Sequence, residues 1–127
     1  DFLYIVISNS DPTPLYKQIE KQVINGIIEG KIRSGYPLPS IRALARELKV
    51  SVITVKKAYE DLENAGYIIT RAGKGSFVAE ASMEFAREEK LKMVEEKLTE
   101  GIKICQELNM SDTEIKKAFQ VILKEMS

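Results

Sequence analysis

The chain has 127 residues, with 19 basic and 19 acidic side chains, one cysteine and no histidine or tryptophan, which suits one compact domain with a short appendage. A lone thiol excludes a disulfide-stapled fold, and without histidine the usual zinc ligands, catalytic base and nucleophile pairs are missing, so we expect no metal ion, no cofactor and no enzyme. No apolar run approaches the ~20 residues of a membrane helix, so we expect a cytoplasmic protein with no membrane partner.

The first predicted elements are a strand and a helix. Residues 3–7 are aromatic and aliphatic, mostly β-branched, and turn-forming residues follow them, which predicts a strand. Thr13 precedes Pro14, a pattern typical of a helix N-cap followed by proline at the first helical position. Apolar residues then recur every three or four positions, which predicts an amphipathic helix that ends at Gly30.

A helix–turn–helix is predicted next. Ser40 can cap a second helix with one apolar stripe, and Ser51 can cap a third helix that reaches about Ala65. The tight break between them would turn the third helix outward, where it can enter a DNA major groove. Hydroxyl and ammonium groups in its first turn suit contacts with phosphates and base edges. The ordinary alternative is a three-helix bundle in which Ser51 is only a cap.

A hairpin follows the three helices. Two β-rich runs, 67–71 and 76–79, flank the glycine-rich tetrad 72–75, which predicts a wing beside the helix–turn–helix. The tip has two cations next to glycines, and the glycines let the backbone approach a phosphate or a minor groove. The alternatives are a tight turn with solvated lysine, or a nucleotide-phosphate loop, whose required spacing is absent.

The last two predicted helices form a C-terminal segment. The first runs some 26 residues from about Ser82, and a capping box at Ser111 and Glu114 opens the second. Because so short a unit rarely buries enough surface alone, we expect a second copy of the chain to cover its apolar stripes. The alternative is that the helices fold back on their own winged domain. The expected dimerisation residues are Leu91, Val94, Leu98, Ile102, Cys105, Leu108, Ile115, Phe119 and Ile122.

Charge is unevenly distributed along the chain. Residues 31–79 contain nine basic and four acidic side chains, whereas residues 81–127 contain eight basic and ten acidic side chains. This asymmetry indicates a polyanion partner for the middle of the chain. On charge alone, a solvated charged face is the simpler interpretation.

An ordered set of residues links these elements to a known family. The set is Leu38-Pro39-Ser40-Ile41-Arg42-Ala43-Leu44-Ala45, Val50-Ser51, Thr54-Val55, Ala58-Tyr59, Leu62, Gly66-Tyr67-Ile68, Arg71, Gly73, Gly75 and Phe77-Val78. It resembles the GntR family of bacterial winged-helix repressors. The Pro14-Leu15-Tyr16 opening and the two-helix tail resemble the YtrA-like branch of that family.

The resemblance implies roles for particular residues. Contacts with DNA are implied for Arg42 in the first helix of the helix–turn–helix, for Ser51, Thr54 and Lys56 in the second, and for Gly73 at the wing tip. The sequence departs from the family pattern at Val52-Ile53, where members commonly carry Arg, Asn or Pro. These two side chains could contact a thymine methyl group or be buried.

We therefore predict a mostly α fold with a small β wing. A winged helix–turn–helix domain would span residues 1–80, and a two-helix dimerisation segment would span residues 81–127. The expected function is specific binding of double-stranded DNA at an inverted-repeat operator by a homodimeric regulator, a repressor by resemblance. The residues do not show whether a small-molecule effector binds, or which one. The alternative is a winged-helix protein-interaction module that uses Val52 and Ile53 as an apolar patch. The expected DNA-binding residues are Ser40, Arg42, Ser51, Val52, Ile53, Thr54, Lys56, Lys57, Arg71, Gly73, Lys74 and Gly75.

Overall fold

The computed structural model describes residues 4–127. Within that range it has five helices and one two-stranded antiparallel sheet, which confirms the predicted fold class. The elements in chain order are α1 (Leu15–Ile28), α2 (Ile41–Leu48), α3 (Val52–Asn64), β1 (Ile68–Arg71), β2 (Gly75–Val78), α4 (Ser82–Glu107) and α5 (Asp112–Met126). In this part of the chain, no helix combines the length and apolar character needed to span a membrane.

The chain divides into two compact units. Unit 1 extends to Glu88 and unit 2 is Glu89–Ser127, so α4 contributes residues to both. In unit 1, α1 and α2 both pack against α3, and α3 also contacts β1. The largest side chains that are almost completely buried in this core are Ile19, Ile27, Ile32, Leu62, Ile68, Val23, Val55 and Val78.

Helix α1 begins one residue later than the sequence predicts. Pro14, not Thr13, is the N-cap, and no side chain caps the helix. The Thr13 backbone N–H donates to Asp11 Oδ1 at 2.8 Å, which makes a local turn ahead of the helix. At the other end the prediction is confirmed, since Gly30 follows the C-cap with a φ of +75° that favours glycine.

The predicted strand at residues 3–7 is wrong for residues 4–7, which form no strand; residue 3 lies outside the described residues. Two glutamines of α1 take the place of a partner strand. The Val6 N–H donates to Gln22 Oε1 and Gln22 Nε2 donates to the Val6 carbonyl, both at 2.8 Å. Gln18 pairs with the Ser8 backbone in the same way, at 2.9 Å in each direction. Two side-chain amides four residues apart on a helix therefore bond to the backbone N–H and carbonyl groups of an extended segment.

The hairpin pairs Ile68 with Val78 and Arg71 with Gly75 at the two ends of its register, close to the predicted bounds. Residues 35–38 line the other edge of β2. The Val78 N–H donates to the Tyr36 carbonyl at 3.0 Å and the Leu38 N–H donates to the Ser76 carbonyl at 2.9 Å. The segment that leads into α2 is therefore hydrogen-bonded to the wing.

Candidate nucleic-acid interface

The turn between α2 and α3 fixes how the second helix leaves the first. Lys49 adopts left-handed backbone angles, φ 58° and ψ 42°, and the Val50 N–H donates to the Ala45 carbonyl at 3.0 Å. The left-handed residue turns the chain sharply between the two helices, and the Val50 hydrogen bond provides a donor for a carbonyl at the end of α2. Tyr59 on α3 adds a second tie, because its hydroxyl donates to the Pro39 carbonyl at 2.7 Å.

The first turn of α3 is capped by its own hydroxyl groups. The Ser51 side chain accepts from the Thr54 N–H at 3.1 Å, and the two hydroxyl oxygens lie 2.7 Å apart. Between them, Val52 is 44% exposed and Ile53 is 78% exposed. The structure therefore excludes burial of these two side chains in the core of unit 1.

Exposed basic side chains lie on α2, at its end and on α3. Arg42 and Arg46 on α2 and Lys49 at its end are exposed, and none of them pairs with an acidic group among residues 4–127. Lys56 lies 4.0 Å from Glu60 across one turn of α3, a weak pairing in solvent. These cations are available to a polyanion.

Lys57 is held differently from its neighbour. Its Nζ lies 3.0 Å from Asp61 Oδ1 and 5.7 Å from the centre of the Tyr16 ring. Hydrogen bonding and charge attraction to Asp61 raise the pKa of Lys57. A phosphate would have to compete with this carboxylate, so Lys57 is less available than Arg42 or Lys49.

Helix α1, which packs against α3, contains a buried carboxyl group. Glu20 of α1 is 8% exposed, and no donor group of the described structure reaches its Oε2. Its Oε1 lies 3.4 Å from the Lys17 ammonium. Burial, followed by hydrogen bonding and repulsion from Asp61, raises the pKa of Glu20 to about 7. A proton on Glu20 can be donated to Asp61, whose own pKa is lowered by that contact and by Lys57.

The wing presents a short cationic tip. The Lys74 N–H donates to the Arg71 carbonyl at 2.9 Å to close the turn, and Gly73 has a φ of +74°. A Cβ at Gly73 would meet no atom within 4 Å, so the backbone angle, not space, favours glycine there. The Arg71 guanidinium stacks 5.8 Å from the Phe77 ring centre. The tip is exposed and keeps its glycine backbone open to a ligand.

Unit 2 contains an apolar groove between α4 and α5. Its walls include Leu98, Ile102 and Cys105 from α4, and Ile115 and Phe119 from α5. Ser111 opens α5 with the predicted capping box, accepting from the Glu114 N–H at 3.2 Å while Glu114 Oε1 accepts from the Ser111 N–H at 2.9 Å. No residue of α5 is buried.

The sequence profile described as bacterial regulatory proteins of the gntR family matches residues 15–78. The chain belongs to the GntR family. It is therefore a DNA-binding transcriptional regulator, and its relatives are regulators rather than enzymes. The matched range contains the helix–turn–helix and the wing.

Individual members show how far the likeness extends. The HTH-type transcriptional repressor YtrA of Bacillus subtilis is 36% identical over 98 residues, which cover 77% of this chain and 75% of that protein. A transcriptional regulator from Oenococcus oeni superposes with a TM-score of 0.78 at 25% identity, covering 94% of this chain and 99% of that one. AraR(DBD) in complex with operator ORE1 matches 60% of this chain and 93% of its own, with a TM-score of 0.51 and 29% identity. The predicted likeness to YtrA-like regulators is confirmed.

The GntR fold brings most of the predicted interface residues to two places. Ser40 caps α2 by accepting from the Ala43 N–H at 3.1 Å, and Arg42 follows it in the first turn. The α3 positions 51–57 adjoin the turn, and the wing positions 71–75 form the hairpin tip. All of the predicted positions are exposed except Thr54, which is half-buried against Ser51.

Sequence reasoning missed three features around this site. Arg46 and Lys49 are absent from the expected DNA-binding residues, although both are exposed and have no acidic partner in the described structure. Glu20 was missed as a buried acid; its position four residues after Tyr16 places it on the flank of the apolar stripe of α1. That spacing is the one sequence signal that could have found it.

Proposed function

We propose that this regulator is a repressor that binds an inverted-repeat operator as a homodimer. The observation that carries the DNA-binding part is the exposed first turn of α3 beside three cations without acidic partners in the described chain, Arg42, Arg46 and Lys49. A helix tip enters the major groove while flanking cations contact phosphates and fix its position. The likeness to YtrA, which is named a repressor, supports the direction of regulation.

The wing is proposed as the second contact. Gly73 and Lys74 lie at an exposed turn, and a cationic tip with glycine backbone suits a minor groove or its phosphates. Arg71 adds a guanidinium at the base of the tip. In this proposal, α2, α3 and the wing provide phosphate contacts, while the first turn of α3 distinguishes bases.

Unit 2 supports the homodimer. All nine predicted dimerisation positions are exposed or half-buried, and α5 buries none of its residues. A two-helix unit of this size does not bury enough apolar surface to be stable alone. Two copies related by a twofold axis would cover the apolar faces of α4 and α5. They would also present two α3 helices to the two halves of an operator.

Selection of bound duplexes from a random pool tests the proposal, together with sedimentation of the full chain. We expect an enriched inverted repeat and a dimer. Replacing Arg42 with Ala should weaken binding and reduce the salt dependence by about one phosphate contact. Lys21→Ala is the matched control, because Lys21 is an exposed cation on α1, outside the helix–turn–helix and the wing.

Two outcomes would contradict the proposal. A chain that prefers no duplex over a scrambled one would favour the alternative of a protein-interaction module. A chain that stays monomeric at working concentrations, or that enriches a single half-site, would overturn the homodimer.

A further inference from the structure

We infer that Ile53 reads the 5-methyl group of a thymine in the major groove, so that each operator half-site carries a thymine opposite the tip of α3. This inference rests on the proposed function and adds the chemistry by which the helix selects a base.

The placement of Ile53 on α3 is the first argument. The helix buries Val55, Ala58, Tyr59 and Leu62, and at about 100° per residue Ile53 lies about 170° from the mean direction of those four side chains. It is 78% exposed. A large branched aliphatic side chain therefore points directly away from the core, at the end of the helix that enters the groove.

The neighbouring hydroxyl groups provide the second argument. Ser51 and Thr54 are hydrogen-bonded to each other at 2.7 Å, and Ser51 also accepts the Thr54 N–H. Using either hydroxyl to read a base edge would compete with the cap that starts the helix. The hydroxyl groups of this turn are thus engaged in the cap, whereas the side chains of Val52 and Ile53 are exposed and apolar.

The surrounding charge decides between a nucleic acid and an apolar protein surface. Arg42, Arg46 and Lys49 are exposed without acidic partners in residues 4–127, and a protein partner that covered Ile53 would approach these uncompensated cations. DNA compensates them with phosphates. Among the four bases of the major groove, only thymine offers an apolar group, its C5 methyl.

Uracil substitution tests the inference directly, because it removes only the methyl group. Each thymine of the selected operator is replaced in turn by uracil, and binding is measured for the wild-type chain and for Ile53→Ala. We expect one position per half-site at which uracil weakens wild-type binding about fourfold, the value of one buried methyl group. At that position Ile53→Ala should bind the thymine and uracil duplexes equally.

Val52→Ala is the matched control, because Val52 is the adjacent apolar residue of the same turn and is 44% exposed. This variant should keep the wild-type sensitivity to uracil. Thermal unfolding of Ile53→Ala should match that of the wild type, since an exposed side chain contributes little to the core.

Each remaining outcome is decisive. Specific binding that no uracil substitution weakens, or that uracil weakens equally in Ile53→Ala, overturns the inference and leaves the proposed function intact. Loss of uracil sensitivity in Val52→Ala but not in Ile53→Ala also overturns it. If no duplex is preferred at all, the proposed function fails as well, and Ile53 becomes a candidate contact for a protein partner.

Discussion

Replacing Glu20 with Gln should make unit 1 more stable above pH 7 and flatten the dependence of its stability on pH. The pKa of Glu20 is raised from 4.5 to about 7 in the folded chain, so the folded chain holds this proton more tightly than the unfolded chain does. The stabilisation is therefore complete below about pH 4.5 and is lost as the pH rises through about 7. Asp61 has a lowered pKa and loses its contribution in the opposite direction, as the pH falls below its ordinary value of 3.8.

The magnitude follows from the size of the shift. A change from 4.5 to about 7 corresponds to at most about 3.5 kcal/mol at about 1.4 kcal/mol per pKa unit. The Lys17 ammonium, 3.4 Å from Glu20 Oε1, offsets part of this cost once Glu20 is ionised. We expect Glu20→Gln to gain roughly 1–2 kcal/mol at pH 8, because an amide can donate to Asp61 as the protonated acid does without acquiring a charge.

Urea unfolding followed by circular dichroism between pH 5 and 8, at one protein concentration, measures this difference. The wild-type free energy of unfolding should fall across the range and that of Glu20→Gln should fall less. Glu63→Gln is the control, since Glu63 is exposed on α3 and its replacement should leave the wild-type trend. Parallel curves for wild type and Glu20→Gln would refute the assignment of a protonated buried acid.

Three further variants address the hydrogen bond from α3 to Pro39, the turn between α2 and α3, and unit 2. Tyr59→Phe removes the 2.7 Å bond to Pro39 and should lower the free energy of unfolding by about 1 kcal/mol; an unchanged melting temperature would mean that water replaces the hydroxyl. Lys49→Gly relieves a φ of 58° and should raise stability by roughly 0.5–1 kcal/mol while weakening DNA binding, and a less stable variant would contradict the strain. Phe119→Lys places a charge in the apolar groove of unit 2 and should shift sedimentation from dimer to monomer, so an unaltered dimer would remove this helix from the interface.

The elements of this fold that local sequence signals specify were predicted well. Ser40, Ser51 and Ser111 each cap the helix expected of them, because a cap depends on a few neighbouring residues. The hairpin follows from two β-rich runs around glycines that adopt positive φ. The predicted interface positions lie at helix starts and at a turn and are mostly exposed, and their contacts with DNA stay a prediction.

The features that escaped prediction depend on partners distant in sequence. An apolar segment before α1 has the composition of a strand, yet Gln18 and Gln22 supply its hydrogen bonds, and no strand among residues 4–127 lies beside it. The burial of Glu20 depends on the way α1 crosses α3 and brings Asp61 against it. Local sequence patterns contain no information about such long-range contacts, so they predict the type of a segment but not which segment packs against it.

The edge pairing of residues 35–38 with β2 has a mechanical consequence. The same short segment is bonded to the wing through Ser76 and Val78 and, one residue later, to α3 through the Tyr59 hydroxyl at Pro39. The wing and α3 are thus both hydrogen-bonded to residues 35–39, and we expect them to contact DNA as one rigid unit with a fixed spacing. We therefore expect each half-site to tolerate base changes better than a one-base-pair insertion between the positions that the two contact.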